Sequence, residues 1–312
     1  MFLNIFFLLA GFTFLILGGN WLLKAAVALS LRLQIPKIII GMTVVSLATS
    51  APELIVSVNA ALKGTPILAM GNVIGSNIAN LGLVLSITIL LGRIDVEKDF
   101  YQINWPVLMV SSLVLFGVIY FDGILSSYEG LIMVLLLIFF LVYLVRFQKP
   151  AVVDEAPEDD MPLPVTKTVL YLIVGGVGLW GGSELLIKGA VALAEDFNVS
   201  QKIIALTVIA IGTSIPELAA SVTAVLKKEK AISLGNLLGS NIFNILAVLG
   251  ITSTITPIQV GKEFNDDLFW MIGISALLLP LVFFPKNMRL SFLEGIVLLI
   301  VYGLFVYFTV LS

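Results

Sequence analysis

The sequence predicts an all-α polytopic membrane protein: ten transmembrane helices arranged as two inverted five-helix repeats, with the second and seventh helices broken. Three observations carry this. Of 312 residues, 59% are hydrophobic and only 12% charged, about half the ~25% charge of a typical soluble domain. So little charge does not cover a water-soluble globule of this size. Apolar runs long enough to cross a bilayer recur along the whole chain. The chain also matches itself at an offset of 164 residues.

At ~20–25 residues per span, the first half holds runs at 2–29, 38–62, 67–91, 105–121 and 128–146, and the second at 169–194, 203–226, 231–255, 268–284 and 290–310. The first run exceeds a signal-peptide core and no small-residue cleavage pattern follows it, so it reads as a retained helix. Ten spans put both termini on one side. With both outside, the inner loops hold twelve Lys and Arg residues and the outer loops three, Lys63, Lys202 and Lys262. The positive-inside bias therefore places both termini outside the plasma (inner) membrane. Lys24 and Lys188 lie near helix ends and read as snorkelling side chains.

The domain division follows: residues 1–146 form the first repeat, 147–166 an acidic cytoplasmic linker and 167–312 the second, inverted repeat. The linker carries Asp154, Glu155, Glu158, Asp159 and Asp160 among four prolines. It lacks the spacing and the glycine of an EF-hand loop and reads as solvated chain. With His and Cys both at zero, zinc sites, haem ligation, thiol nucleophiles and His-based acid/base chemistry are excluded. The composition equally excludes a nucleic-acid-binding module and a disulfide scaffold.

Aligned at the 164-residue offset, 41–80 and 205–244 share 19 identities in 40 positions. Thr49-Ser50-Ala51-Pro52-Glu53-Leu54 lies over Thr213-Ser214-Ile215-Pro216-Glu217-Leu218. Gly71-Asn72-Val73-Ile74-Gly75-Ser76-Asn77-Ile78-Ala79-Asn80 lies over Gly235-Asn236-Leu237-Leu238-Gly239-Ser240-Asn241-Ile242-Phe243-Asn244. Lys24 with Lys188, Trp105 with Trp270 and Glu129-Gly130 with Glu294-Gly295 extend the match, so the repeated unit is the five-span half. Five is odd, so the second copy enters the membrane from the opposite face. Such inverted repeats recur in secondary transporters, with binding at the midplane.

The first block dictates a break. Proline has no N–H and clashes with the preceding turn, so Pro52 and Pro216 should begin new half-helices, capped by the Ser or Thr before them. The break frees carbonyls such as those of Ala48, Thr49, Ile211 and Gly212, whose negative end of the dipole suits a cation. Glu53 and Glu217 follow at once, each at a cost of ~2.5–3.5 kcal/mol near the bilayer centre even on the lenient scale. Two carboxylates at equivalent points of an inverted repeat read as a shared cation site. In the second block the glycines read as packing residues. Ser76 with Asn80, and Ser240 with Asn244, share helix faces and supply neutral oxygens. An all-oxygen cage of ~6–8 ligands suits calcium and also serves sodium.

These paired blocks resemble the two alpha-repeats of the cation/calcium exchanger superfamily, most closely its prokaryotic sodium/calcium antiporter branch. The resemblance covers nearly the whole chain. It implies alternating access, with sodium entry driving calcium extrusion, no cofactor, and Ca2+ and Na+ as the partners bound from either side of a lipid bilayer. It implies that Glu53 and Glu217 bind calcium with oxygens of Thr49 and Thr213. Ser50, Ser214, Ser76, Ser240, Asn80 and Asn244, with backbone near Ser46 and Ala210, would complete flanking sodium sites. Helices 1 and 6 would slide across a rigid core. The chain departs from the pattern at Asn244, where some prokaryotic members carry Asp. The central site then holds two formal negative charges, which balance one Ca2+ or two Na+.

Three rivals stand beside this reading. A calcium/proton exchanger would use the same glutamates for protons, but proton-coupled relatives resemble a different motif, with Gly-Asn before the glutamate and often a His. An intramembrane enzyme would pair Ser50 or Ser214 with Lys24 or Lys188, yet catalysis needs one asymmetric pair and here every polar residue is duplicated. A channel would need a ring of filter loops that the sequence does not supply.

Overall fold

The computed structural model describes residues 2–147, 163–197, 212–285 and 288–311. Among them, eight helices are each long and apolar enough to cross a membrane: α1 (Phe2–Leu33), α4 (Ile67–Leu91), α5 (Phe100–Asp122), α6 (Ser127–Phe147), α7 (Val165–Asp196), α9 (Lys230–Ile255), α10 (Asn265–Phe283) and α11 (Phe292–Leu311). A further span is the bent pair α2 (Lys37–Thr49) and α3 (Ala51–Leu62), which meet at 44°. The shorter apolar helix α8 (Ile215–Leu226) is the second part of the seventh expected span. Its first part and most of the acidic linker lie outside the described residues.

The bend has the expected cause. Pro52 is the second residue of α3 and Pro216 the second of α8, so neither can donate to the preceding turn. Ser50 and Ser214, just before them, adopt the same conformation, φ −88° and ψ 1° against φ −87° and ψ 3°. The two copies of the motif therefore fold alike.

Four two-residue strands report the inversion. β1 (Ile94–Asp95) pairs antiparallel with β4 (Arg289–Leu290), and β2 (Ile124–Leu125) with β3 (Ile258–Gln259). β1 and β3 are equivalent at an offset of 164 residues, β2 and β4 at 165. Each ladder thus joins one half to the other, and the pseudo-two-fold exchanges the ladders. Chain direction puts β1–β4 on the face where α1 ends and β2–β3 on the opposite face. Arg289 Nε to Asp95 Oδ1, at 2.8 Å, adds an ion pair to the first ladder.

α4 and α9 form the centre; α9 is almost wholly buried. They pack with α5, α6, α10 and α11 into one large apolar cluster that includes Phe100, Leu237, Ile274 and Leu298. α1 and α7 belong to a second cluster, with Leu15, Leu22 and Leu179 against Ile40 and Ala220. Each has 32 residues, about 48 Å at 1.5 Å per residue, so each outruns the ~30 Å hydrocarbon core. They run antiparallel and close together: a Cβ on Gly11 would lie 2.7 Å from the Leu186 nitrogen, and one on Gly175 2.7 Å from that of Leu22. Small residues at such contacts are the usual route to tight membrane helix pairs.

The pair does not sit symmetrically on the core. α1 lies along α8, with Gly19 against Ala219 and Thr223, whereas α7 scarcely touches α3. Val56 of α3 is accordingly 46% exposed, while its equivalent Ala220 in α8 is 6% exposed.

Candidate functional site

The breaks place Glu53 and Glu217 in the first turns of α3 and α8. Both are fully buried, and they are close enough for the charge of one to act on the other. Among the described residues, no group of three carboxylates converges. The site therefore has two formal charges, as the sequence indicated.

Around them, the two halves interlock. Ser50 Oγ donates to Glu217 Oε1 at 3.3 Å, and the hydroxyls of Thr49 and Ser240 lie beside the same carboxylate. Thr49 Oγ1 and Ser240 Oγ are 3.2 Å apart; the symmetry-related Thr213 Oγ1 and Ser76 Oγ are 3.1 Å apart. Ser240 and Glu217 belong to the same repeat, but Ser50 with Glu217, Thr49 with Ser240 and Ser76 with Thr213 all cross from one repeat to the other, so neither half contains a complete site.

The hydroxyls differ from expectation in one respect. Ser50 and Ser214 occupy the N-cap positions, but neither side chain caps its helix. The proline at the second position has already removed one of the two N–H groups a cap would serve. The Ser50 hydroxyl is turned to a carboxylate instead, where a hydrogen bond is stronger. A second difference concerns Gly212, whose carbonyl was expected to be free: it accepts a hydrogen bond from Ser183 Oγ of α7 at 3.0 Å. Ala210 and Ile211 lie outside the described residues.

Asn80 and Asn244, both fully buried, each open a π-helical turn, at Asn80–Val84 in α4 and Asn244–Leu249 in α9. Such turns concentrate at functional sites, and no residue pattern announces them. Sequence reading also missed the roles of Asn77, Asn241, Asn72 and Asn236, although all four lie in the duplicated block. Asn72 Nδ2 donates to Ser57 Oγ at 3.2 Å, and Asn236 Nδ2 to Ser221 Oγ at 3.0 Å. Gly239 and Gly235 are packing residues as expected, set against Met42 and Ile38 of α2. Most of the segment equivalent to α2, residues 201–211, lies outside the described residues.

Among the described residues, six side-chain oxygens here are buried without a donor: both of Glu53, Oε2 of Glu217, Oδ1 of Asn80, Oδ1 of Asn244 and Oγ of Ser214. A buried unsatisfied polar atom costs about 1–3 kcal/mol, more when charged, and native folds hold few. A cluster of bare acceptors with no nitrogen or sulfur ligand is chemistry for a hard cation.

The family model for the sodium/calcium exchanger protein matches residues 3–146 and 167–311. The chain belongs to the sodium/calcium exchanger family. Inner membrane protein YrbG of Escherichia coli is 35% identical over 282 residues, 86% of each chain. Sodium/calcium exchanger MaX1 of Methanosarcina acetivorans is 28% identical over 351 residues, 97% of each. Among solved structures, the sodium-calcium exchanger NCX_Mj soaked without Na+ and Ca2+ superposes with a TM-score of 0.83 at 29% identity, covering 97% of both chains. This exchanger is thus a multi-pass membrane protein, a cation/calcium antiporter and not an enzyme.

Proposed function

We propose that this exchanger moves Ca2+ out of the cell against Na+ entry across the plasma (inner) membrane, by alternating access and with both termini outside. The two repeats, 1–146 and 167–312, are joined by the acidic inner linker 147–166. Glu53 and Glu217 are the ligands both ions share, with Thr49, Thr213, Ser50, Ser214, Ser76, Ser240, Asn80 and Asn244 as neutral donors. The observation that carries this reading is the set of buried bare oxygens around two carboxylates which, among the described residues, have no basic side chain as a hydrogen-bond partner. Such a charge is balanced by the transported ion itself, so the site must exchange one cation for another rather than stand empty in transit. Sodium is favoured over protons by the Thr-Ser-x-Pro-Glu motif and the absence of His, and the name of MaX1 points the same way.

The test is competition at equilibrium. Radioactive Ca2+ bound to the purified protein should be displaced by Na+ but not by equal choline. Displacement by acid alone, with Na+ inert, contradicts the sodium reading.

A further inference from the structure

Asn77 of α4 and Asn241 of α9 are equivalent in the two halves and are 1% and 0% exposed. Neither is among the residues given a ligand role above. Asn77 Nδ2 donates to the backbone carbonyl of Asn241 at 3.2 Å, and Asn241 Nδ2 to the carbonyl of Asn77 at 3.2 Å. A carbonyl oxygen only accepts, so these two contacts fix which end of each amide is nitrogen. The opposite ends are oxygens, and each accepts from a further amide. Asn77 Oδ1 receives Asn244 Nδ2 at 3.1 Å, and Asn241 Oδ1 receives Asn80 Nδ2 at 3.1 Å. With their nitrogens held, Asn80 and Asn244 have no freedom left: their Oδ1 atoms face away from the clamp, buried and without a donor.

An asparagine amide is ambidextrous, with donors at one end and an acceptor at the other. Turned one way it binds a cation; turned the other way it repels one. We infer that Asn77 and Asn241 are positioning residues that lock Asn244 and Asn80 with their oxygens toward the cation, and so set ion affinity without touching the ion. The inference rests on the functional reading above. The wiring is crossed: Asn77 acts on Asn244 in the other half, although Asn80 is its neighbour one turn along the same helix. Partners behind a metal ligand typically govern 10–100-fold in affinity.

The experiment is a pair of mutant cycles on sodium-driven Ca2+ uptake by the full chain in proteoliposomes. Asn77→Ala should raise the KM for Ca2+ about tenfold, with the maximal rate little changed. On an Asn244→Ala background it should add nothing further; on Asn80→Ala it should act in full. Asn241→Ala should show the mirror pattern, silent on Asn80→Ala and active on Asn244→Ala, and gives a second cycle on a different variant. Where an alanine chain fails to purify, Asn77→Ser or Asn241→Ser, which keep a donor for the carbonyl, run the same cycle. Independent effects of Asn77 and Asn244, or a fall in maximal rate and Tm with KM unmoved, would overturn the clamp. A wild-type chain with no calcium uptake under any gradient would instead remove the functional reading itself.

Discussion

At the scale of single residues, the two glutamates are held under tension by burial. A buried carboxylate is tolerated when paired or hydrogen-bonded. Among the described residues, Glu217 is approached only by the hydroxyls of Ser50, Thr49 and Ser240, and Glu53 has no side-chain donor. Glu53→Gln and Glu217→Gln keep shape and remove charge. Each should abolish Ca2+ uptake, while its Tm in ion-free buffer equals or exceeds that of the wild type. Added Ca2+ should raise the wild-type Tm by mass action and leave both variants unmoved; a calcium-dependent rise in either variant argues against the shared site. These residues were legible because a charge in an apolar span is expensive enough to need a reason. Their partners were not. The 164-residue offset tells which residues are equivalent, not which are in contact, and Ser50 with Glu217 or Asn77 with Asn244 are contacts between non-equivalent positions.

At the scale of elements, proline explains the bend between α2 and α3, and the sequence shows it plainly. The π-helical turns at Asn80 and Asn244 were invisible, because one extra residue in a turn leaves no compositional mark. Packing was readable only in part: a glycine says that something comes close, without saying what. For Gly239 the structure answers. A Cβ there would lie 2.5 Å from the Met42 carbonyl oxygen and 2.6 Å from its Cα, both backbone atoms that no rotamer change can move. Gly239→Ala should therefore destabilise the fold by about 1–3 kcal/mol, read as a lower Tm in detergent. An unchanged Tm would show that α2 yields at no cost.

At the scale of the whole molecule, the fold separates a central core from the α1–α7 pair. The pair is stitched by glycine contacts and by Asn4 to Asp196 at 2.9 Å, and its own apolar cluster joins it to the core. Under the proposed alternating access, its closer packing on α8 than on α3 would mark one of the two positions of a sliding element. The proposed orientation of this assembly rests on loop charge alone, and the chain's lack of cysteine makes it simple to check. A single cysteine at Lys63 should react with a membrane-impermeant thiol reagent in intact cells. One at Lys227 should react only after permeabilisation; the reverse pattern would invert the molecule.

The central claim is that sodium drives calcium. Purified protein in proteoliposomes should take up Ca2+ when an outward Na+ gradient is imposed, and should not when an outward proton gradient replaces it. Uptake that follows the proton gradient and ignores sodium would contradict the account.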